Sequence, residues 1–255
     1  MKLFNLLTLS MIILFAAASC KHILPPKETG NDINDTIVSE NFTGLKKYYS
    51  EGKLIKEVTF KNGAKDGLCK NYYDDGRLKT TIIYSNNLKS DTSRWYYPEG
   101  MVYRATPYRN NMLDGVQVKY YKNGRVQAEI PYKNGLRTPG LKEYYEDGRA
   151  VSGMPSIVSE IDDSYYSTHG TVRLVLKLSN NSVNVQFFRG PLVDGAFDPL
   201  ACKEITVSSG MGYIELARAE SGGTGYIDIT AVYITRFKNK EILTKRVKLP
   251  YNNLK

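Results

Sequence analysis

The chain has 255 residues, 42% of them hydrophobic and 24% charged, the balance of an ordered globular protein. Its formal charge of +9 directs attention to anionic partners such as nucleic acid or lipid headgroups. Three cysteines are too few for a disulfide framework, and two histidines leave almost no material for a zinc site or a His-based triad.

Residues 1–19 read as a signal peptide. Lys2 gives a short basic start, Leu3 to Ala18 is largely apolar, and the small residues Ala16-Ala17-Ala18-Ser19 precede Cys20. The ending Ala-Ala-Ser-Cys resembles a bacterial lipobox, with Ala17 where leucine is usual, so Cys20 is expected to be the lipidated N-terminus of the mature chain. Several acyl chains on one cysteine would anchor stably, at about 0.8 kcal/mol per buried CH₂. Lys21 occupies the position where an aspartate would signal inner-membrane retention, which points to the outer membrane and its periplasmic face. With Cys20, the polar stretch through Phe42 carries Pro25-Pro26 and no periodicity, so residues 20–42 read as a lipidated cysteine and flexible tether.

Residues 43–155 are periodic. Tyrosine pairs stand at Tyr48-Tyr49, Tyr72-Tyr73, Tyr96-Tyr97, Tyr120-Tyr121 and Tyr144-Tyr145, at an unbroken spacing of 24 residues. Each is followed three residues later by a glycine: Gly52, Gly76, Gly100, Gly124 and Gly148. Asp-Gly and Asn-Gly steps are strong hairpin signals because glycine accepts positive φ. Downstream, Leu54, Val58 and Phe60 share one face, as do Leu78, Ile82 and Tyr84, and Val126, Ala128, Ile130 and Tyr132. This alternation predicts half-buried strands. A second turn at Lys61-Asn62-Gly63, Ser85-Asn86-Asn87, Arg109-Asn110-Asn111 and Lys133-Asn134-Gly135 closes each unit. Each unit is therefore expected to be one β-hairpin, and consecutive hairpins to pair into an antiparallel array.

The pattern Tyr-Tyr-x-Asn/Asp-Gly-Arg/Lys-Leu/Val, then Lys-Asn-Gly and Gly-x-x-x-x-Tyr-Tyr, resembles the MORN-variant repeat over roughly residues 43–155. Bacterial proteins with this repeat are often labelled YwqK-family antitoxins, so the resemblance implies a hairpin array and a role in sequestering a toxin.

From about Ile157 the tyrosine period ends. Val172, Leu174, Leu176 and Leu178 alternate with polar residues, and strand-like runs follow at 183–187, 203–208, 211–218, 225–235 and 241–249. About seven short strands separated by turn signals predict an Ig-like β-sandwich over 156–255, without the Ig Cys…Trp…Cys pattern. The fold class is thus all-β, an antiparallel hairpin-repeat array followed by a sandwich.

The repeats hold 20 Lys/Arg against 12 Asp/Glu, mostly at turn positions where solvation explains them. Cys69 and Cys202 lack metal-ligand spacing, and Cys69 is expected to be a buried free thiol. No cofactor, metal or catalytic residue is expected. Neighbouring strand residues point to opposite faces, so one ring of each pair is expected to lie exposed. The candidate binding residues are Tyr48, Tyr72, Tyr96, Tyr120 and Tyr144, with Trp95 as an exposed anchor at an otherwise polar repeat position. The expected role is a non-catalytic, protein-binding or scaffolding lipoprotein of the cell envelope, tethered to the membrane by lipid and not a nucleic-acid binder. Its rivals are a glycan-binding module, a lipid-surface binder using the basic turns, and an immunity-type antitoxin.

Overall fold

A computed structural model describes residues 39–220 and 223–255. The expected signal peptide, Cys20 and most of the tether lie outside the described residues.

Residues 44–143 build one eleven-stranded sheet. Its strands are β1 (Gly44–Ser50), β2 (Lys53–Lys61), β3 (Ala64–Tyr72), β4 (Leu78–Ser85), β5 (Leu88–Tyr96) and β6 (Val102–Arg109), followed by β7 (Met112–Leu113), β8 (Gly115–Tyr120), β9 (Val126–Lys133), β10 (Leu136–Arg137) and β11 (Lys142–Glu143). Strands pair in chain order and antiparallel, as the hairpin reading predicts. β6 pairs with both β7 and β8, and β9 with both β10 and β11, so each couple is one interrupted strand. The fifth hairpin is reduced to β11, a turn and a single bridge between Tyr144 and Ala150.

The two turns of each unit differ in type. At the second turn, both central residues have positive φ: Asn62 49° and Gly63 76°, Asn86 47° and Asn87 66°. That is the type I′ geometry whose twist matches the flanking strands. Asn87 and Asn111 also continue the ladder between hairpins, their side-chain oxygens accepting from the Lys65 and Lys89 amides at 2.8 and 2.6 Å. At the first turn of the second unit, the Gly76 amide donates to the Tyr73 carbonyl and the Tyr73 amide to the Arg77 carbonyl. This is a type I turn closed by a glycine bulge, and it recurs at 97–101, 121–125 and 145–149.

The first unit breaks this rule. Glu51 (φ 49°) and Gly52 (φ 77°) form a two-residue turn with Ser50 opposite Lys53. The shorter loop slips β1 by one residue, so Lys47 and Lys70, 23 residues apart, both lie opposite Glu57. A one-residue slip moves every side chain of a strand to the other face.

Cross-strand partners define the two faces. One carries Asn71, Thr80, Trp95, Arg104, Lys119, Ala128 and Glu143 in one continuous row. Beside it runs a buried row that is apolar at its ends, through Val58, Cys69, Ile82, Ile130 and Leu141, and polar in its middle. There Ser93 and Thr106 face each other and Gln117 donates to Thr106 at 3.0 Å. Full burial of Val58 or Ile130 contributes about 1.5–3 kcal/mol each. Cys69 is buried and in no disulfide among the described residues, as expected, and Cys202 is half-buried and likewise unbridged.

The C-terminal strands are β12 (Ile157–Asp162), β13 (Thr171–Leu178), β14 (Val185–Arg189), β15 (Lys203–Ile205), β16 (Val207–Ser208), β17 (Met211–Ala217), β18 (Tyr226–Ile234) and β19 (Lys240–Lys248), with a one-turn helix α1 (Tyr166–His169). They form two four-stranded antiparallel sheets, β12-β13-β17-β16 and β15-β14-β18-β19, the strand order of an Ig-like sandwich. The run at 203–208 is split between the sheets, β15 pairing with β14 and β16 with β17. Val172, Leu174, Leu176 and Leu178 from one sheet meet Phe187, Ile229 and Val247 from the other in a single core.

The sandwich docks on the last repeats through its β18–β19 turn. Glu143, 2% exposed, accepts from Thr235 Oγ1 at 2.8 Å and Asn239 Nδ2 at 2.6 Å. Glu241 accepts from the Leu141 amide at 2.9 Å, and the Tyr145 ring meets Phe237 edge-on. The interrupted strand β10–β11 is thereby closed by sandwich groups.

Candidate binding surface

The tyrosine pairs hold the array together. The second ring of three pairs reaches forward one repeat: Tyr73 donates to the Tyr96 carbonyl at 2.7 Å, Tyr97 to Tyr120 at 2.9 Å, and Tyr121 to Tyr144 at 2.7 Å. Burial raises the pKa of all three phenols. Tyr49, lacking this contact, is 60% exposed.

The first ring reaches backward, onto the face opposite Trp95. Tyr72 donates to Glu57 at 2.6 Å, Tyr144 to Glu129 at 3.1 Å, and Tyr96 pairs with Thr81 at 3.5 Å. Burial, with the Glu57 hydrogen bond second, pushes the Tyr72 phenol up to about 12. The same bond, aided by Lys47 and Lys70, holds the Glu57 carboxyl below its ordinary value.

Two expectations need correction. Tyr72, Tyr96, Tyr120 and Tyr144 are half-buried, not freely exposed, and the hydroxyls of Tyr72, Tyr96 and Tyr144 reach back to the preceding strand. Tyr48 does not join their column: the slip of β1 puts it on the Trp95 face, with Lys46 and Lys56 at 5.2 and 5.5 Å from its ring. Nor is Trp95 an exposed anchor. It is 8% exposed, with the Arg104 guanidinium 4.0 Å from its ring centroid. Its repeat position looks polar because neighbouring units fill it with Asn71, Lys119 and Glu143, but the Trp95 ring lies flat under a cation from the next strand.

The turn cations are largely neutralised locally. Arg77 pairs with Asp75 at 2.6 Å, Lys122 with Glu99 at 3.0 Å and Arg149 with Asp147 at 2.7 Å.

The tyrosine face also exposes apolar side chains, beside charged ones such as Arg94 and Lys142. Leu45 is 53% exposed, Leu68 39% and Val116 48%. Leu45 lies opposite Thr59, Leu68 opposite Ile83 and Val116 opposite Pro131, so these residues form a stripe crossing the hairpins. Single exposed apolar residues need no explanation, but an aligned row on an uncovered sheet face does. Its signal in the sequence is an apolar residue three or four positions before the tyrosine pair in three units (Leu45, Leu68 and Val116).

A family model described as MORN repeat variant matches residues 45–62, 65–86 and 113–134. The first match covers β1 and β2, the second β3 and β4, and the third β8 and β9. In a comparison with curated proteins, nothing matches the chain. The first, second and fourth hairpins of this array are thus identified as MORN repeat variants, and the third, with Asp91 at the position of Gly67 and Gly115 and Pro98 in its turn, keeps their spacing.

Proposed function

We propose that this protein is a non-catalytic binding module of the bacterial cell envelope, anchored to the outer membrane through Cys20, that engages another protein on its tyrosine face. The observation carrying this reading is the exposed stripe of Leu45, Leu68 and Val116 beside half-buried tyrosines whose hydroxyls are engaged within the array. A sheet face with an apolar centre and charged flanks such as Lys70, Arg94 and Lys142 has the anatomy of a protein interface. A sugar site would instead need free aromatic faces, and Trp95 is buried under Arg104. The YwqK-type resemblance makes toxins the first proteins to screen.

Site-specific photo-crosslinking tests the reading. A photoreactive residue at Leu68 or Val116 is expected to capture one discrete partner in intact envelopes, whereas the same residue at exposed Tyr226 of the sandwich is not. Absence of a product at both array positions would refute it.

A further inference from the structure

On the face opposite the tyrosine stripe, positive charge is gathered without a matching set of carboxylates. Arg104 and Lys119 are cross-strand partners in β6 and β8, and their neighbours in the same row are Trp95 and Ala128. Arg104 lies over the Trp95 ring, which fixes the guanidinium plane. Its Nε is buried and makes no hydrogen bond, while the residue as a whole is only half-buried, so the guanidinium sits at the surface with its donor capacity unmet. Lys119 Nζ spends one of its three donors on Asn239 Oδ1 of the sandwich turn at 2.6 Å. Among the described residues neither cation forms an ion pair.

Arg137, from β10, adds a third positive group: it lies close enough to Lys119 to depress its ammonium pKa, as does Arg104, with burial the larger cause. One carboxylate, Glu143, acts on Lys119; Thr235 and Asn239 hold its Oε1, its Oε2 is buried without a hydrogen-bond partner, and a single carboxylate does not balance the three cations.

We propose that Arg104 and Lys119 form a binding site for an oxyanion, a phosphate or carboxylate group seated where the sandwich turn meets the Trp95 face of the array. An oxyanion there would accept from the terminal guanidinium N–H groups of Arg104 and from two ammonium protons of Lys119, and it relieves repulsion among three cations in a partly desolvated place. The stack on Trp95 holds Arg104 and the bond to Asn239 holds Lys119, but neither contact offsets the positive charge gathered between them. The site belongs to the face away from the proposed protein interface, and does not depend on that reading.

Trp95 is the only tryptophan in the chain, so its fluorescence reports on this site alone. The full chain is titrated at pH 7 and constant ionic strength with sodium phosphate, and separately with sodium succinate, against sodium chloride. A saturable change in Trp95 emission is expected with at least one anion and not with chloride. Response to phosphate assigns a phosphoryl group, response to succinate a carboxylate. The midpoint should weaken at least tenfold in both Arg104→Gln and Lys119→Gln. If Arg104→Gln fails to fold, Lys119→Gln decides. No saturable change with either anion, or an unaltered midpoint in Lys119→Gln, overturns the proposal.

Discussion

Removing one phenolic oxygen tests whether the tyrosine pairs are inter-repeat fastenings. In Tyr97→Phe the ring is kept and only the 2.9 Å bond to the Tyr120 carbonyl is lost. An intramolecular hydrogen bond contributes about 0.5–1.5 kcal/mol net, and the half-buried setting of Tyr97 places the expected cost near about 1 kcal/mol. Tyr49 provides the control, since its ring is 60% exposed and makes no such forward bond, so Tyr49→Phe should stay within about 0.5 kcal/mol of wild type. The assay is urea unfolding followed by circular dichroism, with hydrogen exchange to locate the damage. Because repeats are stabilised chiefly by their neighbours, amides of β5 and β8 should lose protection before those of the sandwich. If Tyr97→Phe is as stable as wild type, or Tyr49→Phe costs as much, the fastening argument fails.

Trp95→Ala should cost about 3 kcal/mol or more in the same unfolding assay, as truncation of a buried aromatic does; retention of wild-type stability would show the ring to be dispensable. Gly124 has φ +80° and a Cβ there would stand 3.0 Å from Met101 Cε, so Gly124→Val should lose more than about 1 kcal/mol, with protection falling first around Tyr120-Tyr121. Tyr72 has a folded-state pKa raised to about 12 from an ordinary value of 10.0, so its contribution is fully present below pH 10 and disappears as pH rises through about 12. The ultraviolet difference between wild type and Tyr72→Phe should therefore titrate above the ordinary phenol value of 10.0, and Glu57→Gln should bring it down.

The array was legible because its signals are local. The 24-residue spacing, the positive-φ asparagines and the alternation of Val58 and Phe60 each act within one hairpin, and repetition multiplies them. The slip of β1 is harder to read, although its cause is written in the chain. Asp75, Asn123 and Asp147 each accept from the amide two residues on, at 3.0, 3.0 and 2.9 Å, which holds the longer turn. Pro98 fixes the same turn in the third unit through its φ. The first unit has Glu51 at that place, one methylene too long for the short-range bond and without proline's constraint, and the chain takes the two-residue turn instead. Trp95 and Arg104 were harder to read: residue types at one repeat position suggested a solvated row, and the stacking that buries the ring depends on a partner nine residues away across a turn. The sandwich strands could be read from alternation, whereas the splitting of 203–208 between two sheets is set by tertiary pairing alone.

The tyrosine-face interface is tested most directly by measuring the affinity of the photo-captured protein for the double variant Leu68→Asp/Val116→Asp. Both side chains are exposed on that face, so the variant should unfold like wild type. Two buried carboxylates at an apolar interface should weaken binding at least a hundredfold, about 2.7 kcal/mol. Unchanged affinity in the folded double variant would place the interface elsewhere on the molecule and contradict the account.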